Sequence, residues 1–370
     1  MINPVAKFVK YGECNIPQDD FRMLLTDYGD EEIISFLTEK IIDGSIELPM
    51  KKHTLEDAKE SFNALRKYHT EISEGDVFAR YDYKYPLSNR YIDCSSVGNV
   101  ASDYFHQYNR WKADSLVSPS PVRTWKSEKF LHSALGGLFS LKAKSVDSNT
   151  LRMCLNLRKY IASQFKPTVA KTIYDLYKPN DVLDFCSGWG DRLCGFYASD
   201  YPETYTGVDP NSCLVESYFE QSKLYSQLIG DKRKTANMIC SAAEDIASYD
   251  QNFDLILTSP PYFNIEKYCN ENTQSYKRYR SIESWLNEFL FVAIYTAWKS
   301  LRKNGYMLIN ISDVYSGHKV QKICDPMNDF IYSIGGKYFG TIGMKMSKRP
   351  NSKASARGIF IEPIWIWRKE

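Results

Sequence analysis

The chain has 370 residues, enough for two or three domains of ordinary size or for one large core with an appendage. Its 43% hydrophobic and 25% charged residues exclude a disordered or low-complexity scaffold. A net charge of +2, from 47 basic and 45 acidic side chains, excludes a protein held on nucleic acid by bulk charge, so any such contact needs a local patch.

In chain order, the start MINPVAKFVKYGE has no apolar stretch of signal-peptide type. Thr54 and Asp57 have the spacing of an N-cap pair, and Leu55, Ala58, Phe62 and Leu65 follow at helical intervals. From Tyr81 to Trp125 the text is rich in Tyr, Ser and Pro without a period. Its aromatics interleave with Arg80, Lys84, Arg90, Arg110, Lys112 and Arg123, and SPSP (Ser118 to Pro121) marks a loop or joint. From about Asn149 the pattern becomes regular. Helical segments (151–164 and 168–177) lead into VLDFC (182–186). Short apolar runs then recur at TYTGVD (204–209), ANMICSA (236–242), DLILTSP (254–260) and GYMLINIS (305–312), with amphipathic stretches at 211–229 and 281–302 between them. Apolar runs alternating with helices predict a parallel sheet covered on both faces. KYFGTIGMK (337–345) and GIFIEPIWIWR (358–368) read as a C-terminal antiparallel hairpin, with a bulge or break expected at Pro363 because proline cannot donate to the ladder. The division predicted is an N-terminal, mainly helical and irregular domain over 1–145 and an α/β domain over 146–370.

The longest apolar run, FLFVAIYTAW (289–298), is well short of the ~20 residues a bilayer span requires, so no membrane is expected. The nine cysteines show no CxxC pair and the five histidines no HExxH or HxxxH pattern. We expect free thiols, a cytoplasmic setting and no metal site.

Two constellations carry chemistry. DFCSGWGDR (184–192) follows a predicted strand and opens a helix. Gly188 and Gly190 permit a tight turn that lets a ligand approach backbone N–H groups. Asp209 ends the next strand, where a carboxylate can accept from both hydroxyls of a ribose. A dinucleotide site would prefer a third glycine where Leu193 stands, which favours a nucleoside cofactor without phosphates over NAD. The second is Ser259-Pro260-Pro261-Tyr262 at the end of the fourth predicted strand, on the edge where open α/β sheets bind ligands. Two prolines remove two donors and stiffen the turn, leaving the Pro260 carbonyl free to accept beside the Ser259 hydroxyl and the Tyr262 ring. Acceptors beside a flat ring suit a planar base with an exocyclic amine.

The order of these motifs resembles the S-adenosylmethionine-dependent amino-methyltransferases of nucleic-acid bases, the cytosine-N4 and adenine-N6 group, over about residues 149–370. The resemblance implies a Rossmann-like class I methyltransferase fold, a mostly parallel seven-stranded sheet ending in an antiparallel hairpin. It implies S-adenosyl-L-methionine held by Asp184, Cys186, Gly188, Gly190 and Asp209, by the third-strand end at Ala242, Ala243 and Glu244, and by Pro167 in Phe165-Lys166-Pro167. Ser259, Pro260, Pro261 and Tyr262 are then the catalytic motif. The amine would be held by the Pro260 carbonyl and the Ser259 hydroxyl, its lone pair aimed at the sulfonium methyl, with the base flipped out and stacked on Tyr262. Serine at 259 is typical of cytosine-N4 enzymes and favours that target over adenine N6. The chain lacks the Pro-Cys dipeptide that a cytosine-C5 enzyme would use.

The implied partner is DNA, with RNA possible. The segment 264–268 is expected as a loop over the same crevice, with Asn264, Glu266 and Tyr268 near the base. The loop after the sixth strand carries Lys348, Arg349, Lys353 and Arg357 for phosphate contacts. Family members carry a recognition region after the catalytic motif. Here 262–305 leaves room for one loop and one helix, so the aromatic and basic stretch 81–125 is the candidate reader, or else a docking surface. The alternatives left open are RNA or a protein glutamine as substrate, a non-catalytic binding module of the same fold, and an NAD-linked oxidoreductase.

Overall fold

The computed structural model describes residues 3–159, 161–347 and 358–370. It divides into two compact units, one of residues 1–52 and 108–163 and the other of 53–107 and 164–370. This differs from a single cut near residue 145, because the chain leaves the first unit at 53 and returns at 108.

In the first unit the helix Gln18–Ile42 is broken at Gly29, which adopts φ 76°. Phe21, Leu24, Ile33, Ile34, Leu37 and Ile41 are its buried residues. They belong to an apolar core that also takes in Trp111, Trp125, Leu131, Leu138 and Leu151.

The second unit is built on a sheet whose main strands we label β1 (Asp181–Asp184), β2 (Thr204–Asp209), β3 (Thr235–Cys240), β4 (Phe253–Thr258), β5 (Leu301–Asn310), β6 (Gly336–Lys345) and β7 (Ile359–Lys369). Their order is β6-β7-β5-β4-β1-β2-β3. β3, β2, β1, β4 and β5 are parallel, and β7 runs antiparallel between β5 and β6. This is the Rossmann-like class I methyltransferase arrangement, mostly parallel with a C-terminal antiparallel hairpin. Helices α1 (Leu55–Lys67), α2 (Asn99–Lys112), α3 (Pro167–Tyr177), α4 (Asp191–Ala198), α5 (Val215–Ile229), α6 (Phe291–Ser300) and α7 (Cys324–Ser333) accompany it. The capping box at Thr54 and Asp57 is formed on both sides, and Ala58, Phe62 and Leu65 are the buried face of α1.

Residues 53–107 join this unit for a physical reason: the edge of the sheet would otherwise be open. The short strand Arg90–Ile92 adds parallel to β6, Ser73–Glu74 adds antiparallel to it, and Val77–Phe78 pairs with β7. Phe62 stacks on Tyr225 of α5 with ring centroids 4.1 Å apart.

Two expectations are corrected. β7 runs unbroken through Pro363, whose pairing with β5 has already ended at Ile364. The bulge lies on β6 instead, between Tyr338 and Thr341, where Gly340 takes φ 92°. Between Tyr262 and Gly305 the chain holds more than one loop and one helix. Short helices at Ser275–Arg278 and Ile282–Ser284 and a π-helical turn at Trp285–Leu290 precede α6. Among the described residues no helix is long and apolar enough to cross a membrane, and all nine cysteines are free thiols.

Candidate active site

The site lies along the carboxyl ends of the parallel strands. At the end of β1, Asp184 is fully buried. Its Oδ2 accepts from Arg192 Nε at 2.7 Å and from the Tyr205 hydroxyl at 2.7 Å, so the charge enters the core paired and hydrogen-bonded. Burial pulls the Arg192 guanidinium pKa down, but the Asp184 carboxylate beside it carries it above its ordinary range. A second guanidinium N–H of Arg192 donates to the Cys186 carbonyl, and the guanidinium lies over the Phe165 ring, 5.0 Å from its centroid. Arg192 therefore ties strand, turn and the Phe165-Lys166-Pro167 segment together, with Pro167 buried as the first residue of α3.

Gly188 and Gly190 both have positive φ, 61° and 70°. They differ in what surrounds them. A Cβ on Gly190 would lie 2.2 Å from Gln221 Oε1 and 2.7 Å from His106 Nε2. A Cβ on Gly188 would meet only the end of Arg192, at 3.9 Å. Gly190 is required by packing, whereas Gly188 borders space. The Gly188 carbonyl accepts from the Tyr218 hydroxyl, and its N–H donates to Asp209 Oδ2 at 2.9 Å. Asp209 Oδ1 accepts from Asn211 N–H at 2.9 Å, so each carboxylate oxygen keeps acceptor capacity. Burial pushes the Asp209 carboxyl up to about 6, against the opposing N–H groups of Asn211 and Gly188.

The end of β3 brings Ala242 and Ala243, both buried, and Glu244. Glu244 is engaged from a segment that sequence reasoning did not place: Arg278 donates to Glu244 at 3.0 Å and to both oxygens of Asp245 at 2.7 Å, and the Tyr279 hydroxyl donates to Glu244 at 3.2 Å. The same segment bonds to the end of β2, through Glu271 with the Ser212 hydroxyl at 2.6 Å and Thr273 with the Pro210 carbonyl at 3.3 Å. Tyr268 sets its ring edge-on to Trp189 of the glycine turn, centroids 5.6 Å apart. Residues 264–279 thus form a strap from β4 across the ends of β2 and β3. Of its expected base contacts, Asn264 accepts from the Ser316 hydroxyl at 3.0 Å and Tyr268 donates to Glu266 at 2.5 Å.

At the end of β4 the two constellations meet. Cys186 N–H donates to Thr258 Oγ1 at 3.1 Å, one residue before Ser259. The Pro261 carbonyl accepts from Phe263 N–H at 3.0 Å, closing a γ-turn centred on Tyr262. Phe263 takes φ 54°, uncommon for an aromatic residue, and its buried ring sits edge-on to Trp285 at 6.0 Å. Among the described residues no hydrogen bond engages the Pro260 carbonyl. Ser259 Oγ lies 3.4 Å from Asn310 Oδ1, and Asn310 Nδ2 donates to the Pro363 carbonyl at 3.2 Å. Burial first, then the Glu362 carboxylate on β7, holds the Tyr262 phenol pKa well above its usual value.

Sequence reasoning missed Arg192, Tyr205, Asn310, Arg278 and Glu362. Two carried a signal: a lone amide in LINIS and a lone acid in GIFIEPIWIWR, each inside an otherwise apolar strand. Lys348, Arg349, Lys353 and Arg357 lie outside the described residues. The aromatic and basic stretch is partly consumed by packing. Tyr83 sits edge-on to Trp365 and bonds Ser312, Tyr85 sits edge-on to Trp367, and Lys84 pairs with Asp329 at 2.6 Å. In the first unit Trp111 and Trp125 are buried, and Arg123 pairs with Asp114 at 3.0 Å.

No family model and no curated protein matches the sequence. Solved structures resemble part of it. One is the N-methyltransferase NodS from Bradyrhizobium japonicum, with 9% identity, TM-score 0.34, and 54% of this chain and 93% of that chain covered. An rRNA methylase from Streptococcus thermophilus has 12% identity and TM-score 0.32, covering 56% of this chain and 99% of that one. A putative class I S-adenosylmethionine-dependent methyltransferase from Listeria monocytogenes has 15% identity and TM-score 0.35, covering 60% and 67%. The strand order and directions, rather than these likenesses, define the fold.

Proposed function

We propose that this chain transfers a methyl group from S-adenosyl-L-methionine to the exocyclic amine of a nucleic-acid base, on DNA first, with cytosine N4 favoured over adenine N6. The observation that carries the reading is the Pro260 carbonyl, unengaged among the described residues, beside the Ser259 hydroxyl, at a turn bonded through Thr258 to the glycine turn. The donor set fits the cofactor: Asp209 keeps acceptor capacity for ribose hydroxyls, and a Cβ on Gly188 would meet almost nothing. When bound, the cofactor supplies an electrophilic methyl on a sulfonium. Everything else falls to the chain. Pro260 and Ser259 accept hydrogen bonds from the amine and favour a more tetrahedral nitrogen with its lone pair aimed. Tyr262 offers the face on which the extruded base stacks. The strap 264–279 is bonded across the ends of β2 and β3 and bounds the site on that side. The basic loop with Lys348, Arg349, Lys353 and Arg357 would take phosphates, and the free thiols fit a cytoplasmic setting, of a host if the chain is viral.

The test is a nuclease digest of DNA and of RNA from cells expressing the protein, read by mass spectrometry. N4-methylcytosine in DNA is the expected product. N6-methyladenine moves the target within the reading, and modified RNA alone moves the substrate. Neither modified base in either pool overturns it.

A further inference from the structure

A serine hydroxyl can donate one hydrogen bond or accept two, and which it does decides what it recognises. On the base-methylation reading, on which this inference rests, Ser259 must accept from an amine and therefore needs a place for its own proton. Asn310, the lone amide of LINIS, takes it. We propose that Asn310 is a positioning and specificity-determining residue. It holds the Ser259 hydroxyl as an acceptor toward the substrate, so that the motif selects an exocyclic amine and rejects an exocyclic carbonyl.

The register brings the two side chains together. β4 and β5 are parallel neighbours whose last registered pair is Thr258 with Ile309, so Ser259 and Asn310 follow side by side at the carboxyl edge. Ser259 Oγ donates to Asn310 Oδ1 at 3.4 Å. The bond is long, as catalytic hydrogen bonds often are until substrate tightens them. Its direction is fixed from the far side of the amide. Asn310 is buried, and its Nδ2 donates to the Pro363 carbonyl at 3.2 Å. Ile364 is the last residue of β7 registered on β5, so that carbonyl lies beyond the ladder and is left for a side chain. A carbonyl only accepts. The amide nitrogen must therefore face Pro363 and the amide oxygen Ser259, because the flipped amide would set two acceptors against each other in a buried place. Pro363 thus decides, through Asn310, which way the Ser259 proton points.

With its proton committed, Ser259 Oγ presents only lone pairs to the cleft. The Pro260 carbonyl, unengaged among the described residues, is likewise an acceptor. Two acceptors match the two N–H groups of a cytosine or adenine amine. Uracil, thymine and hypoxanthine carry a carbonyl oxygen at that position, which brings a third acceptor against the pair and nothing to donate. A site built to hydrogen-bond an N–H discriminates strongly against an analogue that lacks it, because its polar groups are then left unpaired. A Ser259 hydroxyl free to rotate could instead donate to the carbonyl oxygen, and the rejection would weaken.

Asn310→Leu keeps the size of the side chain and removes both of its bonds. The probes for the purified full-length protein are a duplex that the wild type methylates and the same duplex with uracil at the methylated position, or hypoxanthine where that base is adenine, as competitor. Asn310→Leu should bring the affinity for the carbonyl competitor about tenfold closer to that for the amine duplex and lower kcat about tenfold, with the affinity for S-adenosylmethionine by calorimetry unchanged. Ser259→Ala should relax the discrimination as well. Adding Asn310→Leu to Ser259→Ala should cost nothing further, because Asn310 acts through that hydroxyl. Asn310→Asp, which still offers Ser259 an acceptor, should keep the wild-type discrimination. Unchanged discrimination in Asn310→Leu, or an equal loss of rate with and without the Ser259 hydroxyl, overturns the proposal. If Asn310→Leu does not fold, the other two variants decide: full discrimination in Ser259→Ala, or its loss in Asn310→Asp, overturns the proposal. Wild type that binds the cofactor but methylates no base amine instead overturns the base-methylation reading.

Discussion

The two halves of the cleft are built on opposite electrostatic plans. At the glycine turn every strong charge is answered: Asp184 by Arg192 and Tyr205, Asp209 by two backbone N–H groups, Glu244 by Arg278. At the end of β4, the Pro260 carbonyl is unengaged among the described residues. The first plan makes a rigid seat, because a buried charge with its partners in place resists rearrangement. The second leaves acceptor capacity that only an incoming donor can use, which is the condition for stabilising a transition state rather than a ground state.

The sharpest way to break this contrast is to remove one answer at the seat. Arg192→Met leaves Asp184 buried without its counter-charge and should cost about 3–5 kcal/mol of unfolding free energy, measured by denaturant titration. A cost below 1 kcal/mol would show that the pair is not what holds the turn. The matching change at the reactive end is Tyr262→Ala. It should lower methyl transfer by about 10²–10³-fold and leave cofactor affinity intact, because the lost groups act on the amine. Equal loss of cofactor affinity would merge the two halves into one site.

A smaller effect separates them by pH. Asp209→Ala should weaken cofactor binding by roughly ten- to a hundredfold, the range for a lost charged hydrogen bond. The Asp209 carboxyl titrates at about 6, above its ordinary value of 3.8. The folded chain therefore holds that proton more tightly than the unfolded chain, and ionising it lowers stability as pH rises from about 4 to about 6. Ribose hydroxyls need the ionised form, so affinity should climb over the same approach to pH 6 and level above it. Calorimetry across that interval should show the climb in wild type and a flat response in Asp209→Asn.

The regular half of the chain was legible because its periodicity is local. The seven strands stand where apolar runs predicted them, and the DFCSGWGDR turn and the Ser-Pro-Pro-Tyr motif stand at adjacent strand ends. The capping box at Thr54 was equally readable, since both its bonds lie within four residues. The irregular stretch misled for a physical reason. Tyrosines among basic residues look alike whether they face solvent or fill a gap, and Tyr83 and Tyr85 fill gaps against Trp365 and Trp367. The bulge was expected at the proline, but the strain is taken by Gly340 on the neighbouring strand, where a positive φ costs nothing.

What the sequence determined by itself were the elements and motifs whose physics is short-range: helix caps, strand periods, glycine turns and a stiff diproline. Only the tertiary structure decided which distant groups meet them. Arg278 reaches Glu244, residues 53–107 close the edge of the sheet, and Asn310 at the end of β5 reaches the Pro363 carbonyl of β7. These contacts follow from strand order and direction. An antiparallel strand set among parallel ones brings the beginning of one segment to the ends of the others, and nothing in the local spacing of residues records that reversal.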